Sequence, residues 1–318
     1  MCHSSRRCGL QLTFGGNVTI SHSFGRLALK GESLSVIKVT RKFRLGKRKE
    51  RFTIKVEDRS LEWASRDVSA IVLEGEGLIS SGAIKLASER EIRLAVLVDG
   101  DIAVLEPLLD RDPSPLLGQV RALANRSVLA LRFLSASIKN KMWLLEHVKH
   151  MGGGDVEAAR ARLAELRRDA GDWRKAWEAE GRAMEVVNEL LERLGAKAEL
   201  VEYARMHVVA EATMMLVAEG LEPTIGFLHP DSVQPALSRD LAIELLHQTA
   251  DFSVLKAPEQ SRRSVLTCLE KRMEEEFTHP RLNVKTNYRD VMRRQAKSLA
   301  AYFSGKSPGY QPHEEASS

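Results

Sequence analysis

The feature that most constrains the fold is a change of hydrophobic period around residues 110 to 118, "DRDPSPLLG". Before it, from residue 10 to about 105, apolar and polar residues alternate in runs such as "LQLTF", "SLSVIKV", "RFTIKVED" and "AIVLEGEG", which is typical of β-strands. After it, from Gln119 to Phe303, the apolar residues recur at helical spacing. The proline, aspartate and serine residues between the two regions indicate a domain boundary.

The pattern therefore predicts an α+β protein. We expect a β-rich, sandwich-like domain over residues 1 to 112, a larger all-helical domain over 113 to 306, and a flexible tail over 307 to 318. A chain of 318 residues is long enough for two such cores. A short helix is predicted at "SSGAIKLASERE", because Ser80 or Ser81 can cap its first turn. Gly220 is suited to end a long helix.

Composition excludes several classes of protein. The first ten residues contain two arginines and no apolar core follows them, which argues against a secretory signal. No apolar run approaches the roughly 18 residues that a membrane helix needs. Three cysteines do not form an even set for a disulfide framework, so a reducing cytoplasm is expected. The net charge of +5 is modest, so local clusters matter more than the total.

One carboxylate breaks the apolar pattern of the helix "WRKAWEAEGRAMEVVNELLERL". Its apolar positions step by three and four and predict an apolar residue at position 180, where the chain has Glu180. A carboxylate on a buried face must be paired, hydrogen-bonded, protonated or bound to a metal. An ion pair with an arginine at the edge of the face is the simpler alternative. Gly181 costs a helix about 1 kcal/mol, which suggests that something approaches the backbone closely.

A second anomaly lies in "TIGFLHPDSVQPALSRDLAIELLH". The apolar run ends at His229, and the helix that follows aligns Asp240, Glu244, His247 and Asp251 on one ridge. A solvent-exposed face is the default interpretation of such a ridge. However, Asp240 lies in the first turn, where the helix dipole favours an anion. Glu180, His229 and Asp240 would together offer one nitrogen and two carboxylates, a set suited to Mg²⁺ or Mn²⁺.

Five segments, in this order, resemble the CRISPR-associated adaptation integrase, the larger of the two universal spacer-acquisition proteins. They are "SASIKNKMWLL", "EAEGRAME", "GLEPTIGFLH", "ALSRDLAIELLHQTAD" and "RRQAKSLAAYFSGKSPGYQP". The resemblance implies a metal-dependent DNA endonuclease and integrase, which inserts new spacers into a CRISPR array by attack of a DNA 3′-hydroxyl on a phosphodiester. It implies that Glu180 and His229 are catalytic metal ligands, and that Asp240 matches the acid that opens the family's "D-L-x-E" segment.

The chain departs from the family pattern at two positions. Ile243 stands where the family has a further acid, and Leu246 stands where it has an arginine. Glu244 is the nearest substitute, but one residue turns a helix by about 100°. Either Asp240 acts as the ligand, or the helix rotates to offer Glu244, or the metal affinity is reduced. The predicted catalytic and metal-binding set is therefore Glu180, His229, Asp240 and Glu244, with Mg²⁺ or Mn²⁺.

Two basic clusters are candidates for DNA contacts. The last helix carries four cations that are predicted to bind phosphates: Arg289, Arg293, Arg294 and Lys297. The segment 38 to 51, "KVTRKFRLGKRKER", predicts a hairpin with its turn at Gly46, which either contacts flanking DNA or shields an edge strand.

The resemblance also implies partners. They are DNA (protospacer and CRISPR repeat), a second copy of the chain in a homodimer formed through the β-rich domain, and the smaller adaptation subunit. Two alternatives stay open: a DNA-binding scaffold of the same family with a weakened metal site, and an unrelated metal-dependent phosphohydrolase.

Overall fold

The computed structural model describes residues 12–14, 18–23, 34–40, 42–98, 101–105, 112–150 and 156–314. The chain divides into two compact units, residues 1 to 109 and 110 to 318. The first unit is rich in strands and the second is helical, which confirms the predicted α+β class. Among the described residues, no helix is both long and apolar enough to cross a membrane.

Two sheets form the first unit. A six-stranded sheet has the order β1-β2-β3-β7-β9-β10, and a four-stranded sheet has the order β6-β5-β4-β8. The pairs β3/β7, β7/β9 and β4/β8 are parallel and the other pairs are antiparallel. The strands are β1 Leu12–Phe14, β2 Val18–Ser23, β3 Leu34–Val39, β4 Phe43–Arg48, β5 Arg51–Val56, β6 Arg59–Ala64, β7 Val68–Glu74, β8 Gly77–Ile79, β9 Arg93–Val98 and β10 Asp101–Leu105.

One apolar core joins both sheets of this unit. It contains Ile37 and Ile71 from the larger sheet and Leu45 and Ile54 from the smaller one, all completely buried. Helix α1, Ser81–Glu89, adds its own apolar face to the core. The helix begins as predicted, since the Ser80 hydroxyl accepts a hydrogen bond from the backbone N–H of Ala83 at 3.1 Å.

The predicted hairpin turn at Gly46 is wrong. Gly46 lies inside β4 and pairs with Thr53 of β5, and the chain turns at Lys49 and Glu50 instead. Lys49 has a φ of +54°, so the turn uses a left-handed conformation without a glycine. A Cβ atom at position 46 would lie 2.7 Å from the Thr53 hydroxyl, so a larger residue there would require that hydroxyl to move.

The second unit consists of nine described helices and a two-stranded hairpin. The helices are α2 Ser114–Ala122, α3 Arg126–His150, α4 Glu157–Asp169, α5 Trp173–Arg193, α6 Ala198–Ala218, α7 Ala236–Ala242, α8 Phe252–Lys256, α9 Arg262–Glu274 and α10 Tyr288–Phe303, and the hairpin strands are β11 Phe277–Thr278 and β12 Lys285–Thr286. The glycines at 152 to 154 lie outside the described residues. Gly220 has a φ of +74° just after α6, as predicted for a helix end.

Helix α6 forms the centre of this unit. Most of its side chains are buried on all sides, which fits its continuous run of apolar residues. It packs against α7, α9 and α10, while α3 packs along α5. A π-helical segment, His247–Asp251, connects α7 to α8 and also contacts α6. This arrangement brings α5, α6 and α7 around the candidate site.

Candidate active site

Glu180 lies on the buried face of α5, as its position in the apolar seam predicts. The helix begins after Asp172, whose carboxylate accepts hydrogen bonds from the backbone N–H groups of Arg174 and Lys175 at 2.9 and 3.0 Å. The face that packs inward contains Ala176 and Ala183. Glu180 is only 1% exposed, so its charge needs a partner inside the protein.

The partner of Glu180 is a lysine within the core. Lys141 of α3 is completely buried and donates to Glu180 Oε1 at 2.6 Å. The Ser137 hydroxyl donates to the same oxygen at 3.1 Å and accepts from Lys141 at 2.6 Å. Burial lowers the pKa of Lys141, and the Glu180 carboxylate opposes this effect. Glu180 Oε2 has no hydrogen-bond partner although it is buried, so one oxygen remains available to a ligand.

His229 and Asp240 meet across the loop that separates them in the chain. The His229 ring contacts Asp240 Oδ1 through Nδ1 at 2.7 Å. The same carboxylate accepts hydrogen bonds from the backbone N–H groups of Phe227, Leu228 and His229 at 2.5 to 3.1 Å. Because a carboxylate can only accept, Nδ1 carries the proton, and Nε2 is the ring nitrogen that can bind a ligand. Metal-binding histidines commonly have this arrangement, in which a carboxylate orients the ring.

Long-range contacts hold this loop in place. Arg126 donates to the backbone carbonyls of Phe227 and His229 at 2.8 and 2.7 Å. The buried side chain of Gln119 bonds to the backbone of Glu222 and Ile225 through both of its polar atoms. The His229 ring therefore has a defined position before any ligand binds.

A small cavity brings Glu180 and His229 together. It has a volume of about 80 Å³. That is several times the roughly 10 to 15 Å³ that one water molecule requires. Its lining residues come mainly from α5, α6 and the region of α7: Glu180, Met184, Glu202, Arg205, Val209, His229, Arg239, Ile243 and Leu246. Asp240 and Glu244 do not line this cavity. Ile243 occupies the wall at the position where the resemblance leads us to expect an acid.

Glu244 faces a different part of the unit. Its carboxylate accepts hydrogen bonds from the Tyr310 hydroxyl, from the backbone N–H of His313 at 2.6 Å and from Gln295 Nε2 at 2.8 Å. Burial raises the pKa of Glu244 to about 7, and these three donors oppose that shift. Glu244 thus fastens the C-terminal segment. The expectation of a loose tail is wrong for this segment, because Tyr310 is completely buried and His313 is 2% exposed.

The polar ridge of the α7 region is not exposed to solvent. Asp240, Glu244, His247 and Asp251 are all completely buried, so the default interpretation of a solvated face is wrong. Arg205 of α6 donates to both oxygens of Asp251 at 2.8 and 3.0 Å, and His247 Nδ1 contacts the same carboxylate at 2.7 Å. Burial alone would raise the pKa of Asp251, but Arg205 and His247 hold it below its ordinary value.

The basic face of α10 is only partly available to DNA. Arg289 is completely buried and forms ion pairs with Glu211, Glu270 and Glu274 at 3.0, 2.9 and 2.6 Å. The prediction that Arg289 contacts phosphates is therefore wrong in this structure, because its donors are used within the core.

The other three cations of α10 are closer to the surface. Arg293 is half-buried and pairs with Asp290 at 2.6 Å. Arg294 is also half-buried and donates to the Thr286 hydroxyl. Lys297 is exposed, so it is the member of the predicted set that a phosphate can reach most easily.

The suggestion that Gly181 marks a close approach to the backbone is wrong for the folded chain. A Cβ atom added at Gly181 would meet no other atom within 4 Å. The residue is exposed on the outer face of α5. No contact within the described residues requires a glycine there.

The side chains of this cavity supply only some of the ligands that a divalent cation needs. Glu180 Oε2 and His229 Nε2 offer one carboxylate oxygen and one imidazole nitrogen, a combination that Mn²⁺ accepts and that Mg²⁺ tolerates with additional oxygen ligands. Within the described residues, no group of three or more His, Cys, Asp and Glu side chains is arranged to hold a metal ion. Water or substrate oxygens would have to complete the coordination.

Sequence reasoning did not identify Lys141, Arg205 or Arg239 as parts of this site. Lys141 lies within the quoted segment "SASIKNKMWLL", but periodicity on α3 cannot show that its ammonium faces a carboxylate of α5. Arg205 lies on α6 and Arg239 lies on α7. Which faces of these two helices meet depends on how the helices pack. The sequence signal that could have been used is the presence of charged residues inside otherwise apolar helical stretches.

The fold is shared with proteins of known structure. A casposase bound to its integration product covers 88% of this chain and 94% of its own with a TM-score of 0.73 at 14% identity. The match to a Cas1 protein from Thermotoga maritima covers 89% of this chain and 100% of that protein, with a TM-score of 0.70 at 14% identity. The match to a chain of the Cas6-RT-Cas1–Cas2 complex covers 93% of this chain and 37% of the other, with a TM-score of 0.69 at 12% identity. The architecture is thus that of the class comprising Cas1 proteins and casposases.

Sequence comparison identifies the family. The model of the family "CRISPR associated protein Cas1" matches residues 37 to 199, about half of the chain, and the chain belongs to this family. A Cas4 exonuclease/Cas1 endonuclease fusion of Geobacter sulfurreducens is 31% identical over 132 residues, covering 35% of this chain and 24% of the fusion. CRISPR-associated endonuclease Cas1 3 of Thermus thermophilus is 27% identical over 221 residues, covering 58% of this chain and 65% of the relative. The chain thus spans 24% and 65% of these two relatives.

Proposed function

We propose that the protein is a metal-dependent DNA endonuclease and integrase of CRISPR adaptation. In this proposal Glu180 and His229 bind Mg²⁺ or Mn²⁺, and a DNA 3′-hydroxyl attacks a phosphodiester. One observation carries the proposal: a buried carboxylate oxygen without a partner and an oriented imidazole line the same cavity. Membership of the Cas1 family and the names of the curated relatives, both of them Cas1 endonucleases, support it.

The residues of the chain prepare the site for this chemistry. Lys141 and Ser137 engage one oxygen of Glu180 and leave the other without a protein hydrogen-bond partner. Asp240 fixes the tautomer and the orientation of the His229 ring, so it acts as a positioning residue in our proposal. A bound divalent cation would lower the pKa of the attacking hydroxyl and neutralise charge on the phosphate oxygens. Glu244 stabilises the C-terminal segment and has no contact with this cavity.

The partners that we propose follow from the same comparisons. The names of similar structures mention an integration product for a casposase and a Cas1–Cas2 assembly for a Cas6-RT-Cas1 protein. We therefore propose that this chain binds protospacer and CRISPR-repeat DNA, forms a homodimer and associates with a smaller adaptation subunit.

The test of the proposed function is cleavage of branched DNA with and without Mn²⁺. We expect metal-dependent cleavage by the wild type and a loss of at least about 100-fold in Glu180→Ala and His229→Ala, since each removes one of the two protein ligands. Glu185→Ala is the matched control, because Glu185 is an exposed acid of the same helix. Equal activity of the wild type and both ligand variants would overturn the assignment.

A second candidate function is a DNA-binding scaffold with a weakened metal site. The observation that favours it is the apolar wall at Ile243, together with the absence of any three-residue metal group in the described parts of the chain. Direct titration of the DNA-free protein and of its DNA complex with Mn²⁺ separates the two functions. A scaffold would bind DNA and show no specific Mn²⁺ binding in either state.

A further inference from the structure

Arg239 has a distinctive position in the cavity that contains Glu180 and His229. The residue lines that cavity, and its Nε donates to the backbone carbonyl of Gln234 at 3.2 Å. One terminal nitrogen contacts the Met206 sulfur at 4.0 Å, which is a weak interaction. Among the described residues, the side-chain contacts of Arg239 are these two, and neither is with a carboxylate. The side chain is half-buried, so the charge is only partly hydrated.

The second arginine of the cavity is engaged differently. Arg205 is 6% exposed and donates to Asp251 through two nitrogens and to Asn188 through the third. Its donors are therefore used within the protein. Arg239 retains donors that point toward no protein acceptor, and this contrast identifies it as the cation of the cavity that can bind an anionic ligand.

The position of Arg239 relative to Ile243 adds a second argument. The two residues are one helical turn apart, and the backbone N–H of Ile243 donates to the Arg239 carbonyl at 3.0 Å. Both side chains line the same cavity. This wall therefore offers an aliphatic group and a guanidinium, and no carboxylate. A negatively charged group that enters here meets a cation on this wall. Of the two acids that line the cavity, Glu180 is paired with Lys141 and Glu202 is exposed to solvent.

We propose that Arg239 is a catalytic residue that binds the non-bridging oxygens of the scissile phosphodiester. The inference rests on the proposed function and deepens it. A guanidinium can donate two parallel hydrogen bonds to a phosphate, and its charge-assisted bonds strengthen as negative charge accumulates in the transition state. Arg239 would place positive charge beside the phosphate oxygens, where negative charge develops in the transition state.

The chemical step balances with Arg239 protonated throughout. One P–O bond forms to the attacking 3′-oxygen, which loses its proton. One P–O bond breaks to the leaving 3′-oxygen, which gains a proton. No oxidant, reductant or further reactant is consumed, and Arg239 contributes hydrogen bonds and charge only.

The experiment compares the full-length wild type with Arg239→Gln and Arg239→Lys. Arg263→Gln is the matched control, because Arg263 is an exposed arginine of α9 that does not line the cavity. At saturating branched DNA and Mn²⁺, we expect Arg239→Gln to reduce the cleavage rate by about 100- to 1,000-fold, as for the loss of one transition-state donor. Arg239→Lys should recover part of the rate, and Arg263→Gln should match the wild type.

Two binding measurements distinguish phosphate binding from a structural effect. Mn²⁺ affinity of the DNA-free protein, measured by calorimetry, should be unchanged in Arg239→Gln and lost in Glu180→Gln. Binding of inorganic phosphate to the metal-free protein should be weakened at least about tenfold in Arg239→Gln and retained in Arg239→Lys. A wild-type cleavage rate in Arg239→Gln, or an equal loss of Mn²⁺ binding in that variant, would overturn the inference.

The inference and the proposed function can fail separately. A wild type that shows no Mn²⁺-dependent cleavage contradicts the proposed function. In that case the phosphate titration still decides the role of Arg239: weaker binding by Arg239→Gln than by Arg263→Gln supports an anion site, and equal binding refutes it.

Discussion

At the scale of single residues, the ion pair of Lys141 and Glu180 decides whether the candidate site can exist. Both side chains are within 1% of complete burial, and their charged atoms are 2.6 Å apart. A carboxylate here without the lysine would have to become protonated or destabilise the fold. The pair thus places a cation beside this buried acid and leaves its second oxygen without a hydrogen-bond partner.

Substitution of Lys141 by methionine tests this role. We expect a loss of about 3 to 5 kcal/mol in the free energy of unfolding, because one partner of a buried pair is removed. The double variant Lys141→Met, Glu180→Gln should recover much of that loss, since no unpaired charge remains. Urea unfolding at pH 7 measures both. Additive losses in the double variant would show that the two residues do not depend on one another.

Ile243 limits the number of possible ligands, and Ile243→Asp tests whether the cavity is a metal site. Ile243 is 3% exposed and lines the cavity with Glu180 and His229. Without metal, the buried aspartate should destabilise the protein by a few kcal/mol. With saturating Mn²⁺, it should add a ligand, so the metal should raise the melting temperature of this variant more than that of the wild type.

The control for this prediction is Ile243→Asn, which is similar in shape but carries no charge. Melting curves with and without Mn²⁺ are compared for both variants. An equal response of Ile243→Asp and the wild type to Mn²⁺ would indicate that the cavity does not bind the ion.

At the scale of helices, a second buried cluster joins α6, α9 and α10. One guanidinium, Arg289, faces the three carboxylates of Glu211, Glu270 and Glu274. Burial raises the pKa of Glu274 to about 7; the neighbouring carboxylates add to the shift and Arg289 opposes it. In the folded protein Glu274 therefore retains a proton at pH values where the unfolded chain, with a pKa near 4.3, has released it.

The sign of the pH effect follows from this difference in pKa. Between about pH 5 and 7 the folded state binds more protons than the unfolded state, so stability falls as the pH rises. We expect Glu274→Gln to reduce this slope, by less than about 1.4 kcal/mol for each pH unit. Urea midpoints at pH 5.5 and 7.5 measure it. Glu244 contributes a slope of the same sign, because burial raises its pKa to about 7 as well, so the variant should retain part of the dependence.

The matched control for Glu274 is Glu275→Gln. Glu275 is the next residue in the chain, is exposed, and pairs with Arg272 at the surface. We expect its pH dependence to equal that of the wild type. Identical slopes in Glu274→Gln and the wild type would contradict the raised pKa of Glu274.

At the scale of the whole molecule, the proposed metal site predicts that metal binding and DNA binding are linked. If the scissile phosphate completes the coordination, each ligand must increase the affinity for the other by the same factor. We expect that factor to lie in the range of about 5 to 150. Calorimetry with a non-cleavable DNA measures Mn²⁺ affinity with and without DNA, and DNA affinity with and without Mn²⁺. A Mn²⁺ affinity that is independent of DNA would contradict this linkage.

Much of the fold could be predicted from the sequence, because it depends on local patterns. The alternation in "SLSVIKV" and "RFTIKVED" corresponds to β3 and β5, and the Ser80 cap begins α1 as expected. The position of the turn between β4 and β5 could not be predicted from composition, because Gly46 lies inside β4 and Lys49 adopts the left-handed conformation of the turn without a glycine. The resemblance to the adaptation integrase was also recognisable from ordered segments and agrees with the family match.

The two-part architecture and the family follow from periodicity and motif order, which are properties of residues that are near one another in the chain. Which charges meet depends on tertiary packing. It paired Glu180 with Lys141, buried Arg289 among three acids, and enclosed Glu244 beneath the C-terminal segment. The physical reason is that a helical pattern shows which face is buried but not which helix covers it, and the electrostatics of a buried group depend on that neighbour.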